Sequence, residues 1–277
     1  MRLMSMDPAR APLDMQSLRE GVLGPPSPWR RLDVVTATAS TNGDLVARAL
    51  AGEDVDGAVL IAEHQTAGRG RNGRGWSAIP RAQILLSVGV AADAVPTHAW
   101  GWLPLAAGVA VADAVSAVTG VEAVLKWPND VLAGGGKLAG ILSEAVPTRT
   151  RIVVGIGVNV TLRSAEAPGV GIASLLELGV EEPDRDRLVR RLLLELGTRL
   201  VDWQKAGSAS PKLIADYRAR SATIGSRVRA TLPGGRQLVG RARDVDEQGR
   251  LVIDVGGETV AVSAGDVVHL RPNHGFP

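Results

Sequence analysis

Residues 58–90 read AVLIAEHQTAGRGRNGRGWSAIPRAQILLSVGV. The runs Ala58–Ala62 and Ile84–Val90 lack the alternation of a strand with one wet face, so they read as buried strands. Between them Gly68-Arg69-Gly70-Arg71-Asn72-Gly73-Arg74-Gly75-Trp76 is too polar and too glycine-rich for either a strand or a helix. Its glycines free the backbone to turn and present N–H groups to an anion, and its arginines offer planar forks for carboxylate or phosphate. No Gly-Lys-Ser/Thr follows, which excludes a Walker A loop. Gly68, Gly70 and Gly73 spell Gly-x-Gly-x-x-Gly, but without a following helix pattern they do not read as a dinucleotide turn. Anion or nucleotide binding, an RNA contact and a plain basic linker all stay open on spacing alone.

Upstream, Leu32–Ala37 reads as a strand. Ser40-Thr41-Asn42 precede a helical run, Asp44–Leu50, where they fit a helix cap or a set of hydroxyl and amide groups for a small polar ligand. Residues 1–28 are proline-rich, with a short helix around Asp14–Glu20, and read as a leader without the apolar core of a secretory signal.

Downstream, Ala99–Val118 has a single charge, Asp113. Its length would permit a membrane span. An Asp near the centre of a span costs about 2.5–3.5 kcal/mol, however, and the stretch is rich in Ala and Gly rather than Leu. A buried core helix is the expectation, with no membrane and a cytoplasmic location. Ala123–Trp127 then reads as a strand ending in Pro128-Asn129-Asp130. Val131–Ala133 and Lys137–Val146 flank a Gly134-Gly135-Gly136 turn, and Ile152–Val160 is a strand interrupted by Gly155 and Gly157. Lys137 is either an exposed strand start or a cation aimed into a site. Asp130 could hold magnesium or pair with a cation. Asn159 is either a structural hydrogen-bonder or a ligand contact. Helices follow at Asp184–Gln204 and Pro211–Arg220. After Ser221 short strands separated by glycine turns predict a small β-barrel.

Composition narrows the chemistry. The 277 residues suit one to two domains. A 45% hydrophobic and 22% charged chain is that of a folded globular protein. With no cysteine, disulfides, Cys-ligated zinc, iron–sulfur clusters and an enzyme thioester are excluded. The four histidines show neither metal spacing nor a hydrolase triad pattern. A net charge of +2 is too small to declare a nucleic-acid binder, and one Tyr and one Phe leave few stacking platforms.

Taken in order, Ser40-Thr41-Asn42, Ala62-Glu63-His64-Gln65-Thr66-Ala67-Gly68-Arg69-Gly70-Arg71, Lys126-Trp127-Pro128-Asn129-Asp130, Lys137-Leu138-Ala139-Gly140-Ile141-Leu142 and Gly155-Ile156-Gly157-Val158-Asn159 resemble the signature of BirA-type biotin protein ligases, from about Trp29 to Arg271. The resemblance implies an α+β fold: a mixed sheet with flanking helices like that of class II aminoacyl-tRNA synthetases (29–220), then an SH3-like barrel (221–277). It implies that biotin and ATP with Mg²⁺ give biotinyl-5′-AMP, from which a lysine of a biotin carboxyl carrier protein displaces AMP. Ser40, Thr41, Asn42, Gln65, Arg69, Gly70, Arg71 and Lys137 would then hold biotin. Gly68, Arg71, Trp76, Asn129, Asn159 and Arg271 would meet the nucleotide. Arg71, Lys137 and Asp130 would act in catalysis, with Asp130 also the magnesium residue. Family members that repress transcription carry an N-terminal winged helix-turn-helix, and residues 1–28 show no pair of helices. No specific DNA binding is expected, with a monomer or a ligand-linked homodimer. A lipoate–protein ligase is the nearest rival, and a nucleic-acid-binding module the rival of another class.

Overall fold

A computed structural model describes residues 10–147, 150–167, 171–263 and 265–270. In chain order the body comprises α1 (Met15–Val22), β1 (Arg31–Val35), α2 (Thr41–Leu50), β2 (Ala58–Ala62), β3 (Gly68–Arg69), β4 (Gly75–Trp76), β5 (Gln83–Ala91), α3 (Trp102–Thr119), β6 (Val124–Lys126), β7 (Asp130–Ala133), β8 (Gly136–Ala145), β9 (Arg151–Asn159), α4 (Arg185–Ala206) and α5 (Pro211–Arg220).

Seven strands form one sheet in the order β1-β2-β5-β9-β8-β7-β6. β1 and β2 run parallel and every other neighbouring pair antiparallel, so the sheet is mixed. The period of two divides its residues between two cores. Val59 and Ile61 of β2, Ile84, Leu86 and Val88 of β5, and Ile152, Val154 and Ile156 of β9 join the large core with α3 and α4. Ala58, Leu60 and Val153 face the other way, against Leu45 and Ala49 of α2. Helices on both faces are why the central strands are continuously apolar.

The apolar stretch after Ala99 is α3, 67% buried within its most hydrophobic window. Its one charge, Asp113, is paired with Arg199 and with Arg220 (2.6 Å), which cancels the cost of burying a lone carboxylate. The Gly134-Gly135 turn has φ of +56° and +80°, as a two-residue hairpin requires, and Gly136 starts the next strand. The helix around Asp14–Glu20 is α1, packed on the body through buried Leu18 and Val22.

A second sheet comprises β10 (Arg227–Thr231), β11 (Gln237–Val245), β12 (Leu251–Val255), β13 (Glu258–Val262) and β14 (Asp266–His269). It is antiparallel, in the order β13-β12-β11-β10-β14. Sequence reading misses β14, whose four residues offer only two apolar side chains, and the β3–β4 ribbon, whose glycines carry no pattern. Tryptophans seat this sheet on the body. Trp127 Nε1 donates to Gly249 O (3.0 Å), and Trp102 Nε1 lies 3.1 Å and 3.0 Å from the carbonyls of Asp246 and Glu247.

Candidate functional site

The helix cap expected of Ser40-Thr41-Asn42 is present, and the polar side chains of Thr41 and Asn42 gather beside it. Ser40 is the N-cap of α2, accepting from Gly43 N at 3.3 Å. Helical geometry then turns Thr41 and Asn42 onto the sheet, where both are buried. Gln65 Oε1 accepts from Thr41 N (2.7 Å) and Thr41 Oγ1 (3.1 Å). Ser87 Oγ lies 2.7 Å from Thr41 Oγ1 and 2.6 Å from Asn42 Oδ1. Asn42 Nδ2 donates to Leu142 O (3.1 Å) and Glu144 Oε2 (2.7 Å). Ser40, Thr41, Asn42, Gln65 and Ser87 thus form a neutral polar box, closed by the Glu144 carboxylate, in which each buried group has a partner.

The floor of this box is made of glycine. Register places Ser87 opposite Gly155 and Gly155 opposite Leu142, and one step along Gly157 lies opposite Gly140. A Cβ on Gly155 would sit 2.2 Å from Asn42 Oδ1, and one on Gly157 2.6 Å from the Trp76 ring. A Cβ on Gly140 would meet the same indole at 2.8 Å. These glycines are breaks in an apolar pattern because a side chain and a ligand space lie directly above them.

Cations arrive from the other side. β3 and β4 pair Gly68 with Trp76 and Arg69 with Gly75, so the Gly/Arg loop is a short ribbon with Arg71–Gly73 as its tip. Arg69 pairs with Glu144 at 3.0 Å. Lys137 Nζ lies 2.6 Å from Asp130 Oδ1 and 5.6 Å from the Trp76 ring centroid, a cation–π arrangement. Arg71 Nη1 lies 3.3 Å from Asn129 Oδ1 and 3.4 Å from Gly265 O. Among the described residues no carboxylate lies within ion-pair distance of Arg71. Burial lowers its pKa, an effect that Asp266 and Asp130 oppose from further off.

Box and cations share one cavity of about 440 Å³. Ser40, Thr41, Asn42, Gln65, Arg69, Gly70, Arg71, Trp76, Asn129, Asp130 and Lys137 all line it. Gly68 is part of the ribbon but does not line the cavity, and a Cβ there would strike Trp76 O at 2.5 Å. Asn159 does not line the cavity. Its amide is spent on Gln83 (2.9 Å), Lys137 O (3.2 Å) and Ala173 O (3.0 Å). Arg271 lies outside the described residues. Sequence reading missed Ser87, though a hydroxyl within the apolar Ile84–Val90 run is a signal that it must be bonded. It also missed Glu144, which has no such signal. Among the described residues no group of three or more His, Asp or Glu side chains could hold a metal ion.

A neutral polar box and converging cations thus line one cavity over a mixed sheet. The biotin/lipoate A/B protein ligase family matches residues 36–160, and the biotin protein ligase C-terminal domain matches residues 223–270. The biotin–[acetyl-CoA-carboxylase] ligase of Mycobacterium tuberculosis is 61% identical over 96% of this chain and 98% of its own length. The bifunctional ligase/repressor BirA of Escherichia coli is 32% identical over 81% of this chain and 69% of its own. In fold, the chain is similar to a biotin protein ligase from Aquifex aeolicus in complex with biotin and ATP, with a TM-score of 0.75, 24% identity, and coverage of 88% of this chain and 100% of that one. The chain belongs to the biotin/lipoate protein ligase family.

Proposed function

We propose that this chain works as a biotin–[acetyl-CoA-carboxylase] ligase, activating biotin with MgATP to biotinyl-5′-AMP and passing biotin to a lysine of a biotin carboxyl carrier protein. The single observation that carries this reading is Arg71. A half-buried guanidinium with only neutral oxygens in contact is costly unless an anion joins it. Joining a carboxylate to an α-phosphate brings two anions together, and the cavity offers Arg71 and Lys137 to offset their repulsion.

We assign biotin to the neutral box of Ser40, Thr41, Asn42 and Gln65, with Arg69, Gly70 and Arg71 above it and Lys137 near its carboxylate. In the first step a biotin carboxylate oxygen attacks the α-phosphorus and pyrophosphate leaves. In the second the ε-amine of the carrier lysine attacks the carbonyl carbon, and the bond to AMP breaks. Asn129 borders the nucleotide side. Trp76 is the aromatic wall for a ligand ring, the adenine in this reading. Magnesium, brought by the phosphates, would supply further charge neutralisation, and a site with separate carboxylates suits an ion that keeps most of its ligands from ATP and water. Asp130 is the residue for it, or for orienting the incoming amine.

We further propose residues 29–220 as the catalytic unit, 221–277 as a C-terminal unit and 1–28 as a leader, in a cytoplasmic enzyme. Specific DNA binding is not part of this reading.

Pyrophosphate release from ATP, measured with biotin, with lipoate and with neither, and without carrier, tests the reading. A burst of about one equivalent with biotin alone is expected, and a burst with lipoate alone would overturn it. Lys137→Ala should mainly lower that burst. Arg71→Ala should keep some biotin binding but release the adenylate faster, giving stray lysine labelling.

A further inference from the structure

The C-terminal sheet exposes charge that neither half-reaction uses. Directly opposed residues of an antiparallel pair share a face, as do residues two apart on one strand. The register therefore stacks three rungs across β14, β10 and β11. Asp266, Thr231 and Gln237 form the first, and its Asp266 and Thr231 line the cavity. Val268, Arg229 and Val239 form the second, and Val268 also lines the cavity. Arg227 and Arg241 form the third.

All three arginines are exposed, and the valines between them are 55% and 39% exposed. Among the described residues none of these arginines is ion-paired. Asp254, opposite Arg241 on the next strand, is taken by Arg243 at 2.5 Å. Like charges directly opposed across a sheet destabilise it. Arg227 facing Arg241, with Arg229 beside them, is a cost that an anionic partner would remove.

We propose that this face docks an acidic surface of the carrier protein, an inference that rests on the ligase reading above. The patch begins at the cavity rim, so a partner seated on it stands within reach of the reaction. Arginine set among exposed apolar side chains is the composition of a protein interface. The rungs hold no aromatic side chain on which bases could stack, which disfavours single-stranded nucleic acid.

The test compares wild type with Arg229→Glu and with the double variant Arg227→Glu/Arg241→Gln. The biotin-dependent pyrophosphate burst without carrier should stay within about twofold, and the melting temperature should hold, since these changes remove like-charge repulsion. The kcat/KM for the purified biotin carboxyl carrier domain of acetyl-CoA carboxylase should fall about tenfold or more, chiefly through KM. Its decline with added salt should flatten, as for a lost steering charge. Arg229→Gln should give a smaller loss in the same direction. Carrier kinetics within about twofold of wild type would overturn the proposal. So would weakened poly(U) binding with unchanged carrier kinetics, or a burst lost in the variants. A burst absent from wild type itself would sink the ligase reading, and this proposal with it.

Discussion

Asn42 has no freedom left in its amide. Ser87 stands 2.6 Å from its oxygen, Leu142 O and Glu144 accept from its nitrogen, and Gly155 leaves the space that the oxygen occupies. Gly155→Ala should therefore act on the ligand rather than on the sheet alone. Overpacking costs about 1–3 kcal/mol, and the cheaper escape is for Asn42 to rotate away. Calorimetric titration should show biotin affinity weakened about tenfold or more, with ATP affinity changed much less. Biotin affinity equal to wild type would remove Asn42 from the biotin site. The same contacts explain what was legible at this scale. Asn42, Arg71 and Lys137 stand within local motifs whose residue types advertise chemistry. Ser87 and Glu144 meet Asn42 from 45 and 102 residues away, and no local pattern records such a partnership.

Among the elements, the Gly/Arg ribbon is held by few bonds of its own. Its internal bonds at the tip are Gly70 N to Arg74 O (2.7 Å) and Arg74 N to Arg71 O (3.1 Å). The tip is otherwise fastened to Asn129 by Arg71, and to β14 and the residue before it by the Arg74–Asp266 ion pair, Asn72 Nδ2 to Asp266 (3.2 Å) and Arg71 to Gly265 O. Arg74 and Asp266 are well exposed, and such pairs are worth about 0.2–1 kcal/mol. Asp266→Ala should thus loosen the ribbon without unfolding it. A chase of labelled biotinyl-AMP should show release speeded about two- to fivefold, shrinking as salt rises. Release at the wild-type rate would mean that the latch carries nothing. Elements with a long period were readable: α3, α4 and the central strands follow from apolar runs and caps. The ribbon and β14 were not, because two-residue strands of Gly and Arg, and an edge of Asp-Val-Val-His, take their order from the partner they pair with.

At the scale of the whole molecule, the change of texture after Ser221 revealed a second unit, but nothing in the sequence showed how it is seated. Its anchors are tryptophan N–H groups on backbone carbonyls, which leave no mark on residue type. Thr223 sits at the centre of that junction. Its hydroxyl oxygen accepts from Trp127 N (3.0 Å), so its own proton is available to His269 Nε2, 3.0 Å away, when the ring proton is on Nδ1. Burial, and then the charge of Lys126, lower the pKa of His269 below its ordinary value. A depressed histidine pKa means that the unfolded chain binds a proton in a window where the folded chain does not. Above about pH 6.5 the ring is neutral in both states and contributes nothing to the slope. Below it, stability should fall with pH down to the folded pKa, because the unfolded chain takes up a proton that burial and Lys126 keep off the folded ring. Thermal unfolding between pH 7.5 and 5.5 should show this slope in wild type and a flatter one in His269→Gln, which keeps an acceptor without a titrating ring. Parallel slopes in the two proteins would clear His269. The acid sensitivity would then have to lie elsewhere than at the seam between body and C-terminal sheet.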